Sequence, residues 1–167
     1  VYCINGGGSI EWTFVTGGYI ESTCAIADVD RDRRLEIIAC STDWKIYCLS
    51  DNGDVEWNLT VYGGITWSSP AIADVDGDGW LEIIVGTCGE ELYCINGSGK
   101  VEWIISTGDY VPSSPIIVDL DNDGNLEIIV GSGDDRVYCI NVPRIHANIH
   151  LYPSIGFRAD PLHSGLY

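Results

Sequence analysis

Residues 68–86 read SSPAIADVDGDGWLEIIVG and residues 113–131 read SSPIIVDLDNDGNLEIIVG. Both carry the same order of signals: a Ser-Ser-Pro opening, an apolar run, a loop of alternating acids, and a second apolar run. A degenerate copy of the loop starts earlier, so the loops at Asp28, Asp74 and Asp119 lie 46 and 45 residues apart. Two further markers keep this period. The pairs Tyr2-Cys3, Tyr47-Cys48, Tyr93-Cys94 and Tyr138-Cys139 step by 45, 46 and 45 residues. Glu11-Trp12, Glu56-Trp57 and Glu102-Trp103 step by 45 and 46. Three independent markers on one period establish an internal repeat.

One copy reads as four short strands, at 68–74, 81–85, 91–95 and 101–105. The last two flank Asn96-Gly97-Ser98-Gly99, a strong hairpin signal. No stretch of about ten residues offers a helical apolar stripe. Four strands in about 45 residues is the size of one β-propeller blade. A β-sandwich of duplicated hairpins is the competing reading, but sandwiches do not usually repeat at a fixed blade-like period.

The predicted fold is therefore all-β, a β-propeller of four-stranded blades. A partial blade spans 1–16 and blades span 19–60, 65–106 and 111–142; residues 143–167 form a tail that packs on or closes the propeller. The last blade has three predicted strands, since no Gly-x-Val-Glu-Trp follows it. Closed propellers need about four to eight blades, so the ring is expected to be incomplete. Either the chain is the C-terminal part of a longer propeller, or residues 10–16 of one copy complete the last blade of another. The start at Val1, with neither Met nor a basic-then-apolar leader, is expected of a processed chain or a fragment.

Composition excludes several function classes. The 167 residues carry a formal charge of −17, with 25 acidic against 8 basic side chains. Such a chain has no basic face for nucleic acid or an anionic membrane. Yet 46% of residues are hydrophobic and 20% charged, which is not a disordered acidic tail. Glycine at 20, tryptophan at 6 and tyrosine at 9, against 2 phenylalanines and no methionine, suit short strands and turns. No apolar run reaches the roughly 18 residues of a membrane span.

The acidic loops carry the chemistry. Asp74, Asp76, Asp78 and Glu82 stand at positions 1, 3, 5 and 9 of one loop, and Asp119, Asp121, Asp123 and Glu127 at the same positions of the next. Calcium is a hard cation wanting about six to eight oxygens, and alternate carboxylates on a tight loop supply them. The position-7 carbonyls of Trp80 and Asn125 are expected to face the ion, and a glycine at position 6 permits the turn. An EF-hand is unsupported: position 12 is Val85 or Val130, and both flanks read as strands. Magnesium suits such a loop less well, because it keeps more waters. An ion-free polar turn would leave crowded carboxylates repelling one another. The first loop keeps Asp28, Asp30, Asp32 and Glu36, with Arg34 at position 7, but Arg33 replaces the turn glycine. Either calcium binds there on a strained backbone, or arginine charge partly replaces the ion. Calcium is thus expected at two loops, with the first a possible third site. Twelve of the 25 acidic residues sit at these ligand positions.

These loops, lying between the first two strands of a blade, resemble the FG-GAP repeats of integrin-α-like β-propellers. The segments quoted at the outset look like those of archaeal and bacterial surface proteins in that group. The hairpins CINGSGKVEW and CLSDNGDVEW are also similar to the PQQ-like propeller repeat, in which a Trp from each blade docks against its neighbour. The resemblance covers about residues 1–142. The tail YPSIGFRADPLHSGLY looks like a segment adjoining such propellers, through Phe157, Arg158, Asp160, Pro161, His163 and Gly165. The resemblance implies calcium ligation by the loop residues named above and an extracellular or cell-surface domain for adhesion, protein or glycan contact, or structural assembly. Arg33 departs from its pattern.

Of the 7 cysteines, Cys3, Cys48, Cys94 and Cys139 recur at one strand position. They read as small buried hydrophobes filling the same slot, with a disulfide or metal array as the competing reading. Cys24, Cys40 and Cys88 do not repeat, and one disulfide among them is open. No Cys-x-x-Cys supports zinc or redox chemistry. His146 and His150 have the spacing of a helical metal pair, but Pro143 and Pro153 bracket them and no acidic partner sits nearby, so they read as polar surface or docking contacts. Asn58-Leu59-Thr60 and Asn96-Gly97-Ser98 fit the glycosylation sequon, with Asn96 on an exposed turn.

No catalytic triad, phosphate loop or acid/base carboxylate pair stands out. The expected function is a calcium-stabilised extracellular binding or structural module. Two alternatives stay open: a propeller enzyme, quinone-dependent or polysaccharide-cleaving, and a self-assembling surface-layer or filament subunit.

Overall fold

The computed structural model describes residues 1–65 and 67–142. It is all-β, with no helix long and apolar enough to cross a membrane among those residues. The expected strands at 81–85, 91–95 and 101–105 are observed as Glu82–Gly86, Glu91–Asn96 and Val101–Ser106. The first strand of the copy is shorter than its apolar run implies, at Ala71–Ala73. The reason is Ser68, whose hydroxyl donates to the Ser113 carbonyl at 3.0 Å and accepts from the Gly86 amide at 3.1 Å. These bonds hold the Ser-Ser-Pro opening across two blades instead of in a ladder.

Four antiparallel sheets follow one another. A hairpin pairs β1 (Tyr2–Ile4) with β2 (Ile10–Thr13). The second sheet runs β3 (Ala25–Ala27), β4 (Glu36–Ser41), β5 (Lys45–Leu49) and β6 (Val55–Thr60) in chain order. The third runs β7 (Ala71–Ala73), β8 (Glu82–Gly86), β9 (Glu91–Asn96) and β10 (Val101–Ser106) in the same order. The fourth holds β11 (Ile116–Val118), β12 (Leu126–Gly131) and β13 (Val137–Val142). The innermost strands β3, β7 and β11 are neighbours, as at the axis of a propeller. Among the described residues the ring stays open.

The core lies between blades. Ile38, Cys40, Ile46 and Cys48 of the second sheet pack on Ile83, Val85, Tyr93 and Ile95 of the third. Ile84, Leu92 and Cys94, on the opposite face of that third sheet, pack on Ile128, Val130, Ile140 and Val142. A central blade therefore buries both faces, which is why EIIV and LYCI are continuous apolar runs instead of alternating ones. At the two ends the same pattern is left open: Ile26 is 62% and Ile116 61% exposed.

Two repeated hydrogen bonds tie blade to blade. Trp12 donates its indole N–H to the Asp51 carbonyl at 2.9 Å, and Trp57 donates to the Gly97 carbonyl at 2.8 Å. This is the neighbour-docking Trp expected from the hairpins. Gly53 and Gly99 sit beneath those rings at φ 86° and 79°, where a Cβ would lie 2.7 Å from the indole. Nearer the axis, the Thr23 amide donates to Ser69 Oγ and the Ser69 amide to Ser114 Oγ, each at 3.0 Å. The proposed tail, and with it His146, His150 and His163, lies outside the described residues.

Candidate metal centres

The loops joining β3 to β4, β7 to β8 and β11 to β12 project from the same end of their blades. Each brings carboxylates together. One oxygen each from Asp28, Asp30 and Asp32 lie within 4.8 Å of one another, as do those of Asp74, Asp76 and Asp78, and of Asp119, Asp121 and Glu127. The clusters gather all-oxygen donors, the set preferred by hard divalent cations.

The loops share one internal scaffold. Asp74 accepts the Gly77 amide at 2.8 Å through Oδ1 and the Gly79 amide at 3.0 Å through Oδ2. Asp76 accepts the Asp78 amide at 3.0 Å, and Asp78 accepts the Trp80 amide at 2.7 Å. In the third loop Asp119 accepts the Asp123 and Gly124 amides, each at 3.1 Å, and Asp123 accepts the Asn125 amide at 2.7 Å. In the first loop Asp28 accepts the Arg33 amide at 3.1 Å and Asp32 the Arg34 amide at 2.7 Å. Asp74 and Asp119 accept loop amides through both carboxylate oxygens, whereas Asp28 and Asp78 accept through one and leave the other for a ligand.

The ninth-position glutamates close the loops from below. Glu36, Glu82 and Glu127 are 0%, 1% and 4% exposed. Through Oε2 each accepts the amide of the loop's second residue, Val29, Val75 or Leu120, at 2.8 Å. The other oxygen, Oε1, of Glu36 and of Glu127 is buried without a hydrogen-bond partner, and so is Asp28 Oδ1. A buried carboxylate oxygen with no donor is costly unless a cation faces it. Burial pushes the Glu82 carboxyl up to about 8, opposed by the Val75 amide and reinforced by the charge of Asp76. Burial likewise raises Glu36 and Asp76.

The backbone repeats as well. Positions 4 and 6 are left-handed in every loop: Gly77 and Gly79 at φ 76° and 88°, Asn122 and Gly124 at 61° and 88°, Arg31 and Arg33 at 66° and 72°. Arg33 therefore takes the glycine conformation. Neither Arg31 nor Arg33 ion-pairs with a loop carboxylate among the described residues. Arg31 instead reaches across the blade seam and places its guanidinium 4.3 Å from the centre of the Trp80 ring. Arg34 faces Asp51 at 3.6 Å.

Two glutamates outside the loops belong to the same neighbourhood. Cys48 donates its thiol to Glu56 at 3.5 Å and Cys94 to Glu102 at 3.8 Å, as Cys3 does to Glu11 at 3.6 Å. Burial, then Asp76, raises the Glu102 carboxyl. Asp30 of the first loop, Asp78 and Trp80 of the second, and Glu102 line one cavity of about 410 Å³. The signal was present in the sequence, since each Cys precedes its Glu by 8 residues on the repeat period. None of the seven cysteines forms a disulfide. Cys48 and Cys94 are fully buried, as expected of a repeated core slot, whereas Cys139 on the open last blade is exposed. Of the sequons, Asn58 is exposed on β6. Asn96, expected on an exposed turn, is half-buried: its Oδ1 accepts the amides of Ser98 and Lys100 and the Ser98 hydroxyl.

Residues 28–85 match the FG-GAP-like repeat family. No curated protein matches the chain. Among solved structures, BamB from Moraxella catarrhalis is 19% identical with a TM-score of 0.59, over 81% of this chain and 38% of that one. BBS1N, crystallised in complex with ARL6DN, gives 11% identity and a TM-score of 0.65 over 86% and 44%. The C-terminal domain of Pseudomonas aeruginosa PilY1 gives 15% and 0.64 over 84% and 36%. At these identities the likeness is one of fold, and this chain spans less than half of each neighbour. The repeat period, the sheet order and these matches together make the chain a set of β-propeller blades carrying an FG-GAP-like repeat at residues 28–85.

Proposed function

We propose that this chain is a calcium-stabilised portion of an extracellular or cell-surface β-propeller that serves as a binding or structural module instead of an enzyme. The observation that carries the calcium reading is the buried, donor-free Oε1 of Glu36 and Glu127 beside clustered aspartates. Asp28, Asp30, Asp32 and Glu36 would hold one ion; Asp74, Asp76, Asp78 and Glu82 a second; Asp119, Asp121, Asp123 and Glu127 a third. The carbonyls of Arg34, Trp80 and Asn125 and waters would complete the six to eight oxygens calcium takes. Each ion offsets two of the negative charges and ties β3 to β4, β7 to β8 or β11 to β12. Extracellular calcium fills even sites with dissociation constants of about 10⁻⁴–10⁻³ M.

The presented surface would contact a protein or glycan, or another copy during surface assembly. The crystallised BBS1N–ARL6DN complex supports a protein partner, since that neighbour shares the blade architecture. The test is thermal unfolding at millimolar calcium and then in excess chelator. A clear fall in melting temperature on chelation, reversed by calcium and not by magnesium at equal concentration, is the expected result. An unchanged melting temperature would refute the calcium reading.

A further inference from the structure

The antiparallel order places the β4–β5 turn, the β6–β7 connection and the β8–β9 turn at the end of the blades opposite the acidic loops. At the seam of the second and third sheets these three segments enclose a cavity of about 260 Å³, lined by Trp44, Tyr62, Gly63, Cys88, Gly89 and Glu90. Trp44 and Tyr62 are 53% and 71% exposed. Their ring positions are set by backbone. Trp44 and Glu90 hold left-handed conformations at φ 73° and 65°, which residues other than glycine rarely adopt. A Cβ on Gly64 would lie 2.6 Å from the Trp44 ring, and a Cβ on Gly63 would overlap the Gly89 backbone. The Glu90 carbonyl accepts the Thr107 amide at 2.8 Å and its hydroxyl at 3.1 Å, which pins that turn. The Glu90 carboxylate itself is exposed and makes no ion pair among the described residues.

We propose that this cavity binds an alkylammonium cation. Trp44 and Tyr62 line the cavity with two aromatic residues and Glu90 adds a carboxylate for counter-charge, the combination of residue types that receives ammonium groups. One carboxylate is too few oxygens for calcium. The volume lies just under the roughly 300 Å³ at which pockets begin to hold drug-sized ligands, so it suits one head group. A net charge of −17 concentrates cations at the surface. The molecule already makes such a contact on its other face, where Arg31 stacks on Trp80. This site stands whether or not the acidic loops hold calcium.

The test is titration of the full chain, at fixed calcium and ionic strength, followed by indole fluorescence and calorimetry. Three probes are compared: choline, butylammonium as the equivalent of a lysine side chain, and the uncharged tert-butyl isostere of choline. Saturable binding of an ammonium probe, about tenfold tighter than the isostere, is expected. The tighter of the two ammonium probes names the source as a methylated head group or a lysine. Glu90→Gln and Tyr62→Leu, both at exposed positions and checked for an unchanged melting temperature, should each weaken binding several-fold. No saturable binding, equal binding of the isostere, or indifference to Glu90→Gln would overturn the proposal. So would saturation by a neutral disaccharide that Tyr62→Leu abolishes and Glu90→Gln leaves unchanged.

Discussion

The loops Asp28–Glu36 and Asp74–Glu82 do the same job with different residues. Both place three aspartates on one ring of oxygens, both rest on a buried glutamate, and both turn left-handed at positions 4 and 6. The second loop meets the turn with Gly77 and Gly79, the first with Arg31 and Arg33. A left-handed conformation costs an L-residue about 1–2 kcal/mol. The backbone of the first loop therefore follows the carboxylate scaffold and not local preference. The first loop recovers part of that cost through Arg31 on Trp80 of its neighbour. Loop shape here is dictated by amide-to-carboxylate bonds, and glycine makes it easier without being required.

The largest expected effect separates the two loops at their first aspartate. Asp74 accepts two amides and Asp28 one. Asp74→Ala should cost about 3 kcal/mol and Asp28→Ala about half that, by denaturant unfolding without calcium. Equal costs would break the comparison. Next is a pH dependence. Glu82 holds its proton up to about pH 8 when folded, above its ordinary 4.5. The stability it contributes without metal is therefore full below the ordinary value and lost as pH rises through that of the fold. Calcium needs the ionised form, so the gain in melting temperature on adding calcium should widen from about pH 5 to 8. A constant gain would deny Glu82 a role at the ion.

Smaller still, Arg33→Gly should stabilise the calcium-free chain by about 1 kcal/mol and tighten calcium binding at the first loop, read by calorimetry. Arg31→Gly should change stability by under about 0.5 kcal/mol, because relief of the backbone offsets loss of the exposed stacking on Trp80. If both arginines respond alike, the Trp80 contact contributes nothing.

The blades and the loops were legible in the sequence because each repeats. The Tyr-Cys, Glu-Trp and acidic markers recur at a fixed spacing, so the strand expected at 91–95 is observed one residue longer, at Glu91–Asn96. What repetition does not display is contact across the seam. Arg31 on Trp80, the cavity that Asp30 shares with Asp78 and Glu102, and the cavity of Trp44, Tyr62 and Glu90 join residues whose approach depends on how one blade is rotated on the next. The left-handed fourth position was hidden for another reason. Gly77, Asn122 and Arg31 share no side-chain signal, and their equivalence lies in the backbone conformation alone. The shortened first strand reflects Ser68, whose hydroxyl bonds beyond its own blade.

The docking of Trp12 and Trp57 sets an order of events at the ribosome. Trp12 is emitted 39 residues before the turn that receives it, and Trp57 40 residues before its own. A nascent blade therefore cannot seat its outer strand until the following blade has emerged. Folding proceeds as a row of coupled neighbours, each one blade behind synthesis. Until then the newest blade exposes an unlatched indole.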